Sequence, residues 1–403
     1  MTDPADLVER VQAGELRLYD LEEHAAPDVA TAARREFLSQ ETDAALDAIS
    51  EFSFDPANVE ANVENAIGAT QVPLGVAGPV PVDGGAADGE YYLPMATTEG
   101  ALIASVNRGL ATVRDAGGAT TRVTESGMTR APVFRVTGIA EAETVVEWVD
   151  AHEDELRAAA ESTTSHGELL GIEPYVVGDS IYLRFAYDTK DAMGMNMVTI
   201  ATEKAAGVIE AETPASLVAL SGNLCTDKKP AAINAIEGRG RTVVADVLIP
   251  QGVVEDRLDT TADAILEANT RKNLVGSAKA GSLGFNAQAA NVITAVFIAT
   301  GQDAAQVVEG ANAITTVDER DGDLYISVSL PSLGIGTVGG GTDLATQAEA
   351  LDVIGHRGGG EPPGSNADAL AEVLATGVLA GELSLLTALA ARHLASAHES
   401  FGR

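Results

Sequence analysis

The order of strand-like and helix-like runs between residues 130 and 221 most constrains the fold. Short runs rich in apolar and β-branched residues predict four strands: VFRVTG, LLGIEPYVV, IYLRFAYD and SLVALS. AETVVEWVDAHEDELRAAAEST predicts one helix after the first strand, and MNMVTIATEKAAGVIEA predicts another after the third. The turn Gly178-Asp179-Ser180 joins the middle strands as a hairpin. The order β-α-β-β-α-β is typical of the ferredoxin-like split βαβ fold, so 130–221 is predicted to be an inserted domain.

The sequence on both sides of this insert predicts a larger protein of the α+β class. Residues 1–63 are acid-rich helical segments, which indicates a small helical N-terminal domain. Residues 64–129 and 222–403 mix helices and strands, as expected of a large α/β domain that the insert interrupts. Two strongly apolar runs, AANVITAVFIAT and VLATGVLAGELSLLTALAA, are interpreted as buried helices. The first is too short to span a bilayer, and the second carries Glu382 and two glycines.

Charge narrows the possible partners. With 60 acidic and 25 basic residues, the chain has a formal net charge of −35, which disfavours nucleic acid. An acidic surface with few lysines is instead typical of a protein that works at high salt, where ions screen its self-repulsion. The single cysteine, Cys225, excludes an internal disulfide, and the N-terminus does not resemble a signal peptide. We therefore expect a cytoplasmic protein with no membrane partner.

Two of the chain's few lysines, Lys228 and Lys229, stand together after Asp227, in SGNLCTDKKPAAINAIEGRGR. This stretch follows the insert, and binding sites often lie at domain boundaries. A lysine ammonium suits a developing oxyanion or a substrate carboxylate. The alternative is a solvated loop, which the scarcity of lysine disfavours. A further lysine, Lys272 in TRKNLVGS, is also predicted to lie in a loop.

Three other side chains are candidates for proton chemistry, each with a simpler structural interpretation. Glu99 follows Thr98, which could cap a helix with Glu99 in its first turn. Asp303 in GQDAAQ could cap the next helix, or it could orient Lys228. His398 stands near the chain end, where a histidine is ordinarily solvated, although its pKa suits a general acid.

Two glycine-containing stretches could hold a phosphate-bearing ligand. LGIGTVGGGTDL contains G-x-G-x-x-G, but the repeated parallel βαβ units of a dinucleotide-binding fold are missing, so we predict an anion-cradling loop. DAMGMNM opens a predicted helix whose N-terminus could serve as a nucleotide platform. The sequence has no P-loop, no G-x-S-x-G elbow and no metal-ligand spacing.

Taken together, the motifs resemble the 3-hydroxy-3-methylglutaryl-coenzyme A (HMG-CoA) reductase family, in its biosynthetic class without a membrane anchor. The resemblance runs from residue 64 to residue 398 in the order ENAIGATQVPLGVAGP, PMATTEGALIAS, GMTRAPV, DAMGMNM, SGNLCTDKKPAAINAIEGRG, KNLVGSAKAGSLGFNAQAAN, GQDAAQ, GIGTVGGGT and GELSLLTALAARHLASAH. It implies reduction of HMG-CoA to mevalonate and coenzyme A with two NADPH, the committed step of isoprenoid synthesis.

The resemblance also implies roles for single residues. Lys228 would stabilise the carbonyl oxygen, Glu99 would protonate the aldehyde oxygen, Asp303 would tune both, and His398 would protonate the coenzyme A thiolate. Substrate-binding positions would be Arg130, Ser221, Asp227, Lys229, Lys272 and Asn291 around the acyl group, with Ser105, Asn107 and Arg108 on coenzyme A. Cofactor-binding positions would be Thr164, Ser165, His166, Asp191, Met193, Gly194, Met195 and Asn196.

In the family, the inserted domain binds NADP(H), the large domain binds HMG-CoA, and the active site lies at a subunit interface. A homodimer or homotetramer is therefore expected. Ser165 stands where an arginine usually grips the 2′-phosphate, which keeps open a catabolic enzyme that oxidises mevalonate with NAD. Gln288 replaces a histidine of animal members. The residues also leave open a lyase that uses Lys228 as a Schiff base and a non-catalytic acyl-CoA-binding protein.

Overall fold

The N-terminal part of the chain forms a small helical unit. The computed structural model describes residues 3–60 and 62–391. Its first helices are α1 (Pro4–Gln12), α2 (Pro27–Thr42) and α3 (Asp47–Ser50). Asp3 caps α1, which begins with a proline. Helices α1 and α2 bury a small apolar cluster of Leu7, Val8, Leu21, Ala30 and Ala33.

The large sheet begins with a hairpin of β1 (Leu74–Asp83) and β2 (Asp88–Ala96), followed by α4 (Leu102–Asp115) and β3 (Ala119–Arg130). Strand β1 also pairs with β3, in parallel. One face of α4 is apolar and packs into the main core, where Val106 and Leu110 are fully buried.

The inserted segment has the predicted order of elements. It contains β4 (Val133–Arg135), α5 (Ile139–Ala151), α6 (Glu153–Glu161), β5 (Glu168–Val177), β6 (Ser180–Asp188), α7 (Met195–Glu212) and β7 (Ser216–Ala219). Its strands lie in the order β7-β4-β6-β5, all antiparallel, over a separate apolar core. This is the ferredoxin-like arrangement. The single helix predicted after β4 is two helices, because His152 leaves the helical conformation between α5 and α6.

The remainder of the chain completes the large sheet and covers it with helices. The elements are α8 (Ala232–Glu237), β8 (Gly240–Ile249), α9 (Gln251–Leu258), α10 (Ala262–Ala268), a π-helical segment (Asn269–Gly276), α11 (Ser277–Ala280), α12 (Ala289–Thr300), α13 (Val307–Gly310), β9 (Ile314–Arg320), β10 (Asp323–Leu333), α14 (Ala345–Ile354) and α15 (Ser365–Ala390). The strands run β1-β3-β8-β10-β9. The α+β class predicted from the sequence is confirmed, whereas the domain boundaries remain a prediction.

Helix α15 is the centre of the main core. By length and composition it could span a membrane, but most of it is buried inside the structure. It packs with α12 and α4 around the large sheet. The two apolar runs are therefore buried helices, as predicted. Two glutamates lie on α15 inside the core, Glu372 and Glu382, and both accept hydrogen bonds from backbone N–H groups.

The two sheets meet at one joint, and this joint positions the candidate site. The end of β3 pairs with β6, next to the place where β4 pairs with the same strand. The chain leaves β7 and passes close to this junction, where the N–H of Gly222 donates to Ala131 O at 2.6 Å. Residues 189–194 lie on the other side, where Ala192 forms a β-bridge with Val338. Segments that are far apart in sequence therefore converge where the two sheets meet.

Candidate active site

The segment 221–231, called the lysine loop below, has an unusual backbone. Asn223, Thr226 and Lys228 have left-handed φ angles of 65°, 53° and 58°. Such angles are uncommon outside glycine and costly for a β-branched threonine. The loop is held from below, because the Thr226 hydroxyl donates to the Asn234 side chain and the Thr129 hydroxyl donates to Cys225 O at 3.3 Å.

Lys228 forms an ion pair with Asp303. Its Nζ lies 2.7 Å from Oδ2 of Asp303, and the lysine side chain remains 44% exposed. The hydrogen bond to Asp303 raises the pKa of Lys228 above its ordinary value. The lysine is therefore a permanent cation that can still reach a ligand. Asp303 also caps the following helical turn by accepting the Ala305 N–H at 3.1 Å, so both interpretations of this residue hold.

Asp227 is surrounded by cations. Its Oδ1 lies 3.1 Å from Nη2 of Arg239, and its Oδ2 lies 3.8 Å from Nη1 of Arg130. The Nζ of Lys229 donates to Asp227 O at 2.8 Å. Arg130 also donates to Thr199 Oγ1 on α7, at 3.0 and 2.7 Å. Four of the predicted site residues, Arg130, Asp227, Lys228 and Lys229, thus belong to one charged group with Asp303.

The single cysteine lies under the same loop. Cys225 is fully buried, and its Sγ lies 3.6 Å from the Ser221 hydroxyl. Burial raises the pKa of this thiol, but hydrogen bonds from the Asp227 N–H, the Ser221 hydroxyl and Arg130 outweigh it, and the net pKa is lowered. Ser221 is thereby tied to the base of the loop.

Glu99 belongs to a second group. Asn291, at the start of α12, donates to Glu99 Oε1 at 3.4 Å. The sequence prediction for this segment is partly wrong: α4 begins at Leu102, and the residue whose hydroxyl accepts the Glu99 N–H is Thr97, not Thr98. Among residues 3–60 and 62–391, no hydrogen bond or ion pair joins Glu99 to Lys228 or Asp303.

Lys272 lies in the π-helical segment, not in a loop as predicted. It is exposed, and its charge acts on Glu382, whose carboxylate holds the N–H groups of Ala287 and Gln288 at 2.7 and 2.6 Å. Burial raises the pKa of Glu382. π-Helical turns are frequent at functional sites. The local signal that the sequence prediction missed is the long helical run that begins at Ala262.

The three predicted coenzyme A contacts lie on α4. Ser105 Oγ is 2.9 Å from Ser384 Oγ, and Arg108 donates to Ser384 O at 2.7 Å. Asn107 accepts the Gly78 N–H at 3.1 Å. These side chains therefore have partners on α15 and β1 within the same chain, and their role at coenzyme A remains a prediction.

The predicted cofactor platform, residues 191–196, has a geometry that suits a diphosphate. Helix α7 has 18 residues, and within residues 3–60 and 62–391 no side chain caps its N-terminus at Gly194. The backbone N–H groups of its first turn, from Met195 and Asn196, can therefore meet an anion. Gly194 has a φ of 88°, and a Cβ there would lie 2.4 Å from Thr189 Cγ2. A Cβ at Gly336 would lie 2.4 Å from Met193 N, so the glycine loop 334–341 packs directly against the platform.

The Asp191 side chain is already hydrogen-bonded within the protein and does not point freely toward a ligand. It is buried, and its carboxylate accepts the N–H groups of Gly360, Gly364 and Ala367 at 2.9, 2.7 and 3.1 Å. It therefore holds the N-terminus of α15. Earlier in the insert, the Thr164 hydroxyl accepts the His166 and Gly167 N–H groups, while the Ser165 and His166 side chains are exposed.

Comparisons with known proteins show which family the chain belongs to. A family model described as hydroxymethylglutaryl-coenzyme A reductase matches residues 30–403. The chain belongs to this family. It is 68% identical to the 3-hydroxy-3-methylglutaryl-coenzyme A reductase of Halobacterium salinarum, over 100% of this chain and 99% of that protein. It is 66% identical to that of Haloferax volcanii, over 100% of each. The reductase of Streptococcus pneumoniae has the same fold, with a TM-score of 0.68, 21% identity and coverage of 96% and 97%.

One residue that the family resemblance makes important, His398, lies outside the described residues. Three others, Arg239, Gln306 and Glu309, were missed from the sequence although they stand at the centre of the charged group. Arg239 is fully buried and bridges Asp227 and Glu309, and Gln306 donates to Asp227 at 2.9 Å. The motif EGRG could have identified the arginine as part of this reductase signature. Glu309 has no comparable signal, because a single glutamate after two valines is ordinary.

Proposed function

We propose that this chain is an HMG-CoA reductase that converts (S)-HMG-CoA to mevalonate and free coenzyme A with two NADPH. The observation that carries the proposal is the Lys228–Asp303 pair at 2.7 Å, which is partly exposed at the lysine loop. Arg239 links Asp227 of this loop to Met195, the first residue of α7. The chain that carries the Lys228–Asp303 pair belongs to the hydroxymethylglutaryl-coenzyme A reductase family and is therefore an oxidoreductase. Biosynthetic mevalonate formation is the role in which this reaction is the committed step.

Lys228 would bind the oxygen that becomes negative. When the thioester carbonyl is reduced, its oxygen gains charge, and an ammonium held in place by Asp303 stabilises that charge. The same lysine would serve the aldehyde in the second reduction. Because the pKa of Lys228 is raised, the ammonium keeps its proton throughout. NADPH, when bound, supplies the hydride for each of the two reductions.

Two other residues would move protons. Glu99 would supply the proton that converts the aldehyde oxygen to the hydroxyl of mevalonate. His398 would protonate the coenzyme A thiolate after the first reduction, when the carbon–sulfur bond breaks. Both roles rest on the family motifs ATTEG and the histidine near the chain end. Asp303 would tune the charge of both Lys228 and Glu99.

The remaining polar residues would hold the substrate and the cofactor. Arg130, Lys229, Lys272 and Asn291 would contact the acyl group, with Ser221 and Asp227 fixing the lysine loop. The N–H groups of Met195 and Asn196, beside Met193 and Gly194, would receive the diphosphate. Asp191 supports this platform from behind. Ser105, Asn107 and Arg108 would contact coenzyme A.

We also propose that a second subunit completes the site in a homodimer or homotetramer. The observation behind this is the separation of the site residues into a Lys228–Asp303 group and a Glu99–Asn291 group, with no described bond between them. A symmetric dimer could bring the Glu99 group of one subunit to the Lys228 group of the other. The enzyme would work in a salt-rich cytoplasm, consistent with its net charge of −35 and its single cysteine.

The lyase, the binding protein and the catabolic enzyme have weaker support. A Schiff-base lyase needs a lysine with a lowered pKa, whereas the pKa of Lys228 is raised. A non-catalytic acyl-CoA-binding protein would have no need of the Lys228–Asp303 pair. The only support for a catabolic enzyme that prefers NAD is Ser165, which is exposed and has no charge with which to bind a 2′-phosphate.

The decisive experiment is reduction of HMG-CoA in molar KCl, with NADPH and NADH measured side by side. We expect two NADPH consumed for each mevalonate formed and poor use of NADH. A strong preference for NADH would favour the catabolic role. No turnover with either cofactor, by protein that is folded and binds HMG-CoA, would contradict the proposed function.

A further inference from the structure

Behind the lysine loop lies a carboxylate that the proposed chemistry does not use. Glu309, on the short helix α13, is 1% exposed. Its Oε1 accepts the backbone N–H of Lys228, and its Oε2 accepts from Asn234 Nδ2 at 3.2 Å and Arg239 Nη1 at 2.8 Å. One carboxylate therefore joins the backbone of the candidate catalytic lysine to two side chains beneath it.

Arg239 extends this network to the cofactor platform. Its side chain is fully buried, and its Nη1 also donates to Gln306 Oε1 at 2.9 Å. Its Nη2 lies 3.1 Å from Asp227 Oδ1 and 2.8 Å from the sulfur of Met195, the first residue of α7. The guanidinium of Arg239 thus contacts Asp227, the Glu309 carboxylate and Met195, the first residue of α7.

Burial of a charged pair is costly, and an apolar pair of the same shape is often as stable or more so. Burial also raises the pKa of Glu309, which is the expected sign of that cost. The backbone that the pair holds is itself strained, since Lys228 has a φ of 58°. The buried Glu309–Arg239 pair and the left-handed backbone of Lys228 both lower the stability of the fold. The direction of the Lys228 side chain depends on this backbone conformation. A functional need for that direction therefore explains why both features are present.

We propose that Glu309 and Arg239 are positioning residues that fix the backbone of Lys228 so that its ammonium points at the Asp303 carboxylate and the reacting oxygen. This inference rests on the proposed function. Glu309 contacts the lysine loop directly only at Lys228, whereas Arg239, which Glu309 also binds, contacts Asp227 and the start of α7. Neither residue touches the reacting atoms.

The test uses Glu309→Gln in the full-length protein and Glu372→Gln as a matched control. Glu372 is also 1% exposed, and its carboxylate accepts three backbone N–H groups of residues 85–87, at 2.7 to 2.9 Å. Both substitutions remove a buried charge that organises a turn, but only Glu309 contacts Lys228. Each is combined with Asp303→Asn, and Glu309→Asp, which keeps the charge, is measured in parallel.

For Glu309→Gln we expect kcat to fall about 10- to 100-fold, the effect of misplacing a catalytic group by about 1 Å. The KM for NADPH should stay within about twofold, because this carboxylate does not contact α7. In the Asp303→Asn background the further loss should be much smaller, since both changes act on the same ammonium. Glu372→Gln should leave kcat unchanged and combine with Asp303→Asn independently.

Two results would overturn the inference while leaving the proposed function intact. One is a Glu309→Gln enzyme with normal kcat. The other is a double variant, Glu309→Gln with Asp303→Asn, whose loss of kcat equals the product of the two single losses. A purely structural defect would give that result. Should Glu309→Gln fail to fold, Glu309→Asp decides by the same two comparisons. Absence of HMG-CoA reduction by the unaltered protein would instead remove the proposed function, and this inference with it.

Discussion

The lysine loop and the cofactor platform, residues 191–196, both lie at the joint between the two sheets, and both are held by a buried carboxylate. In the platform the loop itself supplies the carboxylate, Asp191, and the large domain supplies the N–H groups. In the lysine loop the direction is reversed, because the loop supplies the Lys228 N–H and the large domain supplies Glu309. The same type of hydrogen bond, from a backbone N–H to a buried carboxylate, therefore fixes the platform by its Asp191 side chain and the lysine loop by its Lys228 backbone.

This difference decides which charge remains available for chemistry. Asp191 is 5% exposed and its oxygens are occupied, whereas the Lys228 side chain is 44% exposed and its ion-pair partner, Asp303, is itself partly exposed. A loop that is fixed by its backbone keeps its side chain free for a ligand. A loop that is fixed by its side chain offers its backbone instead, as at the uncapped N-terminus of α7.

The largest effect should come from Lys228→Ala, which removes the free charge of the lysine loop. We expect kcat for HMG-CoA reduction to fall about 10³-fold or more, because an oxyanion loses its main charged donor. The far-UV circular dichroism and the melting temperature should change little, because this side chain is half-exposed. Lys229→Ala is the matched control and should mainly raise the KM for HMG-CoA. Normal turnover by Lys228→Ala would contradict the mechanism.

Asp303→Asn tests the partly exposed partner of that charge. We expect kcat to fall by about 10²-fold, within the range for groups that assist proton and charge transfer. Asp303 raises the pKa of Lys228, so the ammonium normally persists as the pH rises past its ordinary pKa and is lost only above the raised value. Without Asp303 the alkaline limb of the kcat profile should move to lower pH. An unmoved limb would show that Asp303 does not set this charge.

Asp191→Asn tests the side chain that the platform uses for support. An amide can accept only some of the three N–H groups, so we expect a loss of about 1–3 kcal/mol in the free energy of unfolding. The KM for NADPH should rise several-fold through a looser platform, with kcat less affected than in either variant above. Asp188→Asn weakens a partly exposed ion pair with Lys190, and the amide oxygen can still accept the Lys190 N–H, so this variant should cost no more than about 1 kcal/mol. An equal loss in the free energy of unfolding for the two variants, measured by denaturant unfolding, would show that Asp191 supports the platform no more than Asp188 does.

The smallest effect is expected from Ser165→Arg, at an exposed position of the insert. An arginine there could pair with a 2′-phosphate and raise the preference for NADPH over NADH by roughly two- to fivefold, the range for an exposed ion pair. Ser162→Arg, three residues earlier, serves as the control for added charge. A shift of the same size in both variants would show that position 165 does not face the cofactor.

Much of the fold was accessible from the sequence because its signals are local. The alternation of strand and helix periods predicted the split βαβ order of the insert, and strand pairing confirms it. The buried character of α15 followed from a long apolar run that carries Glu382 and two glycines. The break at His152, the start of α4 and the π-helical turn at Lys272 were not predicted, since hydrophobic periodicity does not record where a helix changes its geometry.

The candidate site was predicted only in part. Lys228, Asp227 and Lys229 stand out in sequence because lysine is rare here, and family motifs supplied Glu99, Asp303 and His398. The roles of these residues remain predictions. What no local pattern indicates is the set of partners: Asp303 lies 75 residues after Lys228, and Glu309 lies 70 residues after Arg239.

By itself, the sequence determined the element order, the acidic character and the identity of the residues able to carry charge chemistry. Only the tertiary structure decided which of those charges are free and which support the backbone. The physical reason is that exposure and hydrogen-bond saturation depend on the groups that pack around a side chain. Those groups come from distant segments: Asp191 meets the N-terminus of α15, and Arg239 meets Glu309. The same aspartate or arginine in another setting would be an exposed ligand.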